Sequence, residues 1–230
     1  MEKNPEKSLK RVLTDDEIKT VWNVLECEDP FFRALFQLRF LTAARGGEIR
    51  RMRWADIDLE AGWWSLPPEF VKNERAHRLP LVAAACNILN DLRTWQDQRL
   101  RDINKGRATK KLLPKNASEW VFPSPRGDDS PFDWEQRATK RIKDASGLDF
   151  RPHDIRRTVS TSLRDHGYAD RELVKIILNH ADRDITGVYD RSKQDPQKRA
   201  ALESWARRLE AIIEGKEITG TVVSITQAQR

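Results

Sequence analysis

Residues 30–41, Pro30-Phe31-Phe32-Arg33-Ala34-Leu35-Phe36-Gln37-Leu38-Arg39-Phe40-Leu41, make a helical stretch that is apolar on most of its sides. A surface helix keeps a broad polar stripe, so a helix without one has to be enclosed by other elements. The fold is therefore organised around this segment. At 230 residues the chain is long enough to surround it as one large domain or two small ones. Eight Trp and eight Phe supply the enclosing core, while a charged fraction of 34% and a mean hydropathy of -0.73 describe a wet surface. No run approaches the roughly 18 uncharged apolar residues of a membrane span, and the N-terminus has no signal-peptide core. Cys27 and Cys86 stand outside any metal-like spacing and read as reduced core thiols of a cytoplasmic protein.

Local signals divide the rest into mostly helical elements. Thr14-Asp15-Asp16-Glu17 has the form of a capping box, which predicts a helix over 15–26 with Ile18, Val21, Trp22 and Leu25 on one face. The central helix ends as Gly46-Gly47 arrives, and a short helical stretch follows over 48–52. After Trp54 the pattern changes. Asp56-Ile57-Asp58-Leu59 alternates, Gly62 turns the chain, and Trp63-Trp64-Ser65-Leu66 has strand character. Phe70-Val71 and Arg78-Leu79-Pro80-Leu81 flank a polar turn and pair as a hairpin in this reading. The expected class is mainly α with a small antiparallel sheet of about three strands. Further helices are predicted at 82–104, 134–146, 154–166, 170–180, 182–191 and 195–214. A long basic loop spans 106–133, with a short strand at Trp120-Val121-Phe122.

Charge narrows the partner. The net charge is +6 and the pI about 9.4. Arg99, Arg101, Lys105, Arg107, Lys110, Lys111 and Lys115 face one nearby acid, Asp102; Arg39, Arg45, Arg50, Arg51 and Arg53 face only Glu48. Such clusters suit a phosphate backbone, whose neutralisation releases counterions, and they equally suit a solvated charged face.

The chemistry-bearing residues lie in four places. Arg45 stands at a helix end beside two glycines, where a phosphate can come close to the backbone. His153 and Arg156 are one helical turn apart, so both can reach one anion. Arg157 points elsewhere, as a backbone-phosphate contact. His180 precedes Tyr189 by nine residues. Guanidinium forks grip two phosphate oxygens and keep their charge, and a phenol is a usable nucleophile once its anion is stabilised. Each residue also has a plainer reading: a helix-end arginine complements a dipole, His-x-x-Arg pairs decorate surfaces, and a lone tyrosine packs. Their common order sets them apart.

That order resembles the catalytic domain of the tyrosine recombinases, most of all phage and genomic-island integrases. Thr42-Ala43-Ala44-Arg45-Gly46-Gly47-Glu48-Ile49 resembles the family's first arginine box. Arg151-Pro152-His153-Asp154-Ile155-Arg156-Arg157-Thr158 resembles its His-x-x-Arg box, and Leu178-Asn179-His180 followed by Tyr189 resembles the last. Val71-Lys72-Asn73-Glu74-Arg75-Ala76-His77-Arg78-Leu79-Pro80-Leu81 resembles its lysine-bearing hairpin. The resemblance covers roughly residues 11–205. It implies the tyrosine-recombinase catalytic-domain fold, with catalytic residues Arg45, Lys72, His153, Arg156, His180 and Tyr189, and with no cofactor or metal. Tyr189 would attack the scissile phosphate to give a 3′-phosphotyrosyl link. Arg45, Arg156 and His180 would hold the phosphate oxygens, Lys72 would protonate the leaving oxygen, and His153 would support proton transfer. Glu48 then orients Arg45. His77 is assigned to the hairpin, as a DNA contact if anything, and His166 and Tyr168 take structural or surface roles.

The organisation expected is a linker remnant at 1–12, a catalytic domain at 13–194, and a C-terminal helix and tail at 195–230. Family members usually carry a separate DNA-binding domain ahead of this one, so the chain reads as the catalytic part of a longer protein. The helix around Leu202 and Trp205 has two readings: packing on its own domain, or docking on a neighbouring protomer, as the resemblance implies. The expected partner is double-stranded DNA, as a homotetramer for the full-length protein and as a monomer for the isolated part, with no membrane. The leading function is site-specific recombination of a mobile element. Type IB topoisomerase-like strand nicking and a non-catalytic basic DNA-binding module are the alternatives.

Overall fold

A computed structural model describes residues 11–70, 77–126, 129–180 and 194–216. The central segment is helix α2, Pro30–Thr42, started by Asp29, whose carboxylate accepts from the Phe31 amide at 2.9 Å. Every residue from Ala34 to Thr42 is buried, as an all-round apolar helix requires. Helix α1, Asp15–Glu26, precedes it. Its capping box is formed: the Glu17 amide donates to Thr14 Oγ1 at 3.2 Å, and the Thr14 amide donates to Glu17 Oε2 at 3.0 Å. The Leu13 amide donates to Thr158 Oγ1 at 2.9 Å, which ties the entry of the chain to the body; residues 1–10 of the expected linker lie outside the described residues.

Helix α3 is Gly46–Arg50. A three-stranded antiparallel sheet follows, ordered β1 (Ile57–Asp58), β2 (Trp63–Leu66) and β3 (His77–Pro80). The register Trp64↔Leu79 and Leu66↔His77 puts those four side chains on the buried face and Ser65 with Arg78 on the outer one. The expected pairing of Phe70-Val71 with the third strand is corrected: β3 pairs with β2. Phe70 instead ends a short 3-10 turn, Pro68–Phe70, and Val71 lies outside the described residues.

Among the described residues the remaining helices are α4 (Ala83–Thr109), α5 (Gln136–Ser146), α6 (Pro152–Asp165), α7 (Arg171–Ile177) and α8 (Asp195–Glu214). α4 runs further than expected, and Trp120 to Pro123 contributes isolated bridges rather than a strand, Arg53↔Trp120 and Pro123↔Pro131. The helix predicted over 182–191 lies outside the described residues. Cys27 caps α1 and is exposed, so it is not a core thiol, whereas Cys86 is half-buried and packs against the core. Among the described residues no helix is long and apolar enough to cross a membrane.

α8 packs on its own domain. Leu202, Trp205, Leu209 and Ile212 are buried in the same apolar cluster as α1, α2 and α6. Trp205 Nε1 donates to the Phe40 carbonyl at 2.6 Å. That carbonyl belongs to the last turn of α2, where helix geometry supplies no amide partner; the Ala44 amide, four residues on, donates to Thr42 Oγ1 instead. Trp205→Phe keeps most of the buried ring and removes the donor. We expect it to cost about 1–3 kcal/mol of stability, read by thermal or denaturant unfolding, because a buried acceptor loses its partner. An unchanged midpoint would show that the bond is replaced by water.

Candidate active site

Four of the six residues singled out in the sequence lie in the described structure, and the ends of α2, α6 and α7 bring three of them into one hydrogen-bonded group. α2 stops because Ala43 turns left-handed, with φ 53°. The chain then reaches Arg45 in an extended conformation, φ -69° and ψ 144°, as the cap of α3. Arg45 thus begins the next helix rather than closing α2. Glu48 fixes it twice: Oε2 accepts the Arg45 amide at 2.7 Å, and Oε1 accepts Nη1 at 2.8 Å. The carboxylate both caps and orients, the role expected of it.

Only one of the two glycines beside Arg45 is open. A Cβ on Gly46 would meet the Arg39 guanidinium at 2.6 Å, whereas one on Gly47 would meet nothing within 4 Å. Arg39 is buried and paired with Glu135, which Arg50 also approaches at 3.2 Å. A Cβ at Gly46 would press on the buried Arg39 guanidinium, which gives this position a packing reason to stay small.

Arg156 lies in the second turn of α6 and is buried. Its Nη1 donates to the Ala43 carbonyl, and its Nη2 donates to the Leu178 carbonyl at 2.6 Å and lies 3.4 Å from His180 Nε2. Burial, followed by the neighbouring charge of Arg45, lowers its pKa to about 10, with Glu48 opposing. It therefore keeps its charge at neutral pH.

The Leu178 carbonyl is available as an acceptor because of how α7 ends. Asn179 is left-handed, with φ 48°; its amide donates to the Ile176 carbonyl at 3.0 Å, and the His180 amide donates to the Lys175 carbonyl at 2.9 Å. These paired bonds make a Schellman cap, with asparagine at the position that favours glycine or asparagine. The reversal explains why α7 ends at Ile177 and not near 180. It also turns the Leu178 and Asn179 carbonyls outward, and the latter accepts from Arg45 Nη2 at 3.3 Å. Cations at a helix C-terminus are favoured by its partial negative charge. Arg45 uses two of its five N–H groups on Glu48 and Asn179; Arg156 uses two on carbonyls and turns a third to His180 Nε2, and the groups left over are suited to an anion.

His153 lies at the exposed start of α6 and His180 is exposed beside Arg156. The His153 pKa is lowered from 6.5, first by desolvation of the ring, then by the charges of Arg157 and Arg156; Asp154 opposes and Arg45 adds to the lowering. His153 thus feels both site arginines. Arg157 pairs with Asp154 at 3.2 Å. A cleft of about 370 Å³ opens alongside, bordered by Ser65, His77, Asn179, His180, Asp195 and Lys198. Lys72 and Tyr189 lie outside the described residues. Sequence reasoning missed the backbone half of the site, the carbonyls of Ala43, Leu178 and Asn179. Its one visible signal was Asn179 just past an apolar helix.

The model of the family described as phage integrase matches residues 11–195. Among curated proteins, the prophage integrase IntZ of Escherichia coli strain K12 is 30% identical over 183 residues, which is 78% of this chain and 40% of IntZ. The chain thus spans less than half the length of that relative. Among solved structures, the integrase from mycobacterium phage Brujita superposes with a TM-score of 0.60 at 19% identity, over 92% of this chain and 65% of that one. XerH site-specific recombinase bound to difH substrate, in a pre-cleavage complex, gives a TM-score of 0.56 at 19% identity, over 85% of this chain and 52% of the other. At these identities the two structures establish the shared fold.

Proposed function

The chain belongs to the phage integrase family, and on that premise we propose that it is the DNA-cleaving part of a tyrosine site-specific recombinase. The observation that carries the reading is the convergence of Arg45 and Arg156, each held by helix-end carbonyls, with His180 at 3.4 Å from Arg156. Two fixed cations directed at one place suit a transition state in which charge grows on non-bridging phosphate oxygens.

The proposed step conserves bonds. Tyr189 Oη forms a bond to the scissile phosphorus as the P–O5′ bond breaks, leaving a 3′-phosphotyrosyl link and a free 5′-hydroxyl. Arg45, Arg156 and His180 hold the non-bridging oxygens, Lys72 gives a proton to O5′, and His153 takes the phenol proton. The phosphotyrosyl ester retains the energy of the broken bond, so a 5′-hydroxyl can reverse the step without ATP. The partner is duplex DNA, bound as a tetramer by the full-length protein, and the setting is integration or excision of a mobile element. The basic clusters and the DNA-bound XerH of like fold support the DNA assignment.

The test is covalent capture. The protein is mixed with duplexes of randomised core sequence, nicked so that the released fragment diffuses away, and resolved under denaturing conditions. A denaturant-resistant protein–DNA band is expected, with the adduct on the tryptic peptide of residues 184–191, which contains Tyr189. A mobility shift without any covalent band would overturn the reading in favour of a binding module.

A pH dependence follows from His153. Held below 6.5, it is neutral at pH 7 and able to accept a proton. Acidification protonates it only below that value, so the acid limb of the cleavage–pH profile should lie below pH 6.5. His153→Gln should lower the plateau and flatten that limb. An unchanged limb in His153→Gln would assign the titration to another group.

A further inference from the structure

β3 begins at His77, and the register sets His77 opposite Leu66 on the buried face of the sheet. The ring is buried, which argues against the DNA contact expected of it, and a buried ring nitrogen needs a partner. The partner lies 100 residues further along the chain: Nε2 is 3.1 Å from the carbonyl oxygen of Ile177. A carbonyl oxygen only accepts, so Nε2 carries the hydrogen and donates. Ile177 is the last residue of α7, and the next two carbonyls are those that hold the arginines. Three consecutive carbonyls, of Ile177, Leu178 and Asn179, therefore accept in order from His77, Arg156 and Arg45.

We propose that His77 is a positioning residue for the phosphate site: by holding the Ile177 carbonyl it fixes the end of α7 and, through it, the two carbonyls that place Arg156 and Arg45. The inference rests on the reading that these arginines grip the scissile phosphate. α7 has only seven residues and closes on a left-handed asparagine, so its last turn depends on bonds from outside the helix. Peptide planes are rigid and consecutive ones share a Cα, so a rotation of the Ile177 carbonyl is passed to the Leu178 plane. Among the described residues no hydrogen bond or ion pair joins His77 to either arginine, and its link to them runs through this backbone. The link joins the sheet to the arginine site at the point where the chain enters β3 from the segment that carries Lys72.

The test separates positioning from plain stability by changing the charge that the arginines must neutralise. In a methylphosphonate a methyl group replaces one non-bridging oxygen, so the scissile group is uncharged. His77→Leu fills the space without a donor, and His77→Gln places an amide Nε2–H at similar reach. On the duplex best captured from the randomised pool, His77→Leu should slow single-turnover adduct formation by roughly 10–100-fold, with DNA affinity within about 3-fold, since small misplacements of fixed groups act on the reaction rather than on binding. With a methylphosphonate at the scissile position the loss should shrink to about 3-fold or less, and His77→Gln should recover most of the rate on ordinary phosphate. Equal losses on the two substrates, or a wild-type rate in His77→Leu, would overturn the inference. Backbone amide exchange reads the same link without DNA. Exchange at Asn179 and His180 should quicken in His77→Leu and not in His77→Gln, and unchanged exchange overturns the inference whether or not the wild type cleaves. Absence of any adduct with the wild type would instead sink the functional reading.

Discussion

Tyr189→Phe is expected to abolish covalent capture of nicked DNA while leaving duplex binding within about twofold, because a phenyl ring has no atom that can attack phosphorus while its apolar surface is nearly unchanged. The phenol has an unperturbed pKa near 10 and is a weak nucleophile at neutral pH. Nearby cations favour its anion, and Arg45 and Arg156 are the fixed cations of this site. The chain offers one internal control, its second tyrosine. Tyr168 follows the cap of α6, half-buried, with its ring centroid 5.8 Å from that of His166. It packs against the core there, so Tyr168→Phe should keep the adduct. Denaturing gels of the two variants, with a gel-shift measurement of each, decide the matter. A covalent band surviving in Tyr189→Phe, or lost in Tyr168→Phe, would move the nucleophile elsewhere.

What the sequence disclosed here was whatever depends on near neighbours. The capping box of Thr14 and Glu17, the burial of 34–42 and the stripe of α8 are local patterns, and each appears as read. Apolar patterning pairs β3 with the nearest upstream apolar pair, Phe70-Val71. The true partner lies behind a 3-10 turn that alternation cannot reveal. The site divides in the same way. Its side chains were legible as motifs, but what holds them was not, because it is backbone: carbonyls of residues 43, 178 and 179, released from helix bonds where Ala43 and Asn179 turn left-handed. No alanine announces a positive φ, and the packing of Arg39 beneath Gly46 and against Glu135 joins residues 96 apart. The family resemblance singles out the arginines without explaining why they stay in place.

That support makes the chemistry of Arg156 specific to a guanidinium, so that even Arg156→Lys should be severe. The charge would persist, and the loss would come from geometry. A guanidinium is a rigid fork with five donors. Arg156 spends Nη1 on Ala43 and Nη2 on Leu178, which sets the plane of the fork before any phosphate arrives. A lysine ammonium has three donors on one atom and cannot span two carbonyls belonging to different helices while also facing a phosphate. Loss of one preorganised donor of this kind typically lowers the rate by about 10²–10³-fold, and we expect Arg156→Lys to fall in that range under single-turnover conditions. DNA affinity should change far less, because one exposed phosphate among many contributes little to a binding energy dominated by the whole backbone. Arg156→Ala should lose at least as much cleavage and should also destabilise the fold, since two buried carbonyls lose their partner at about 1–3 kcal/mol each. Cleavage rate at saturating protein, affinity by titration and melting temperature together separate these effects. Equal losses of affinity and rate in Arg156→Lys would reduce this residue to an ordinary backbone contact, and would leave the two helix ends that hold it without a catalytic purpose.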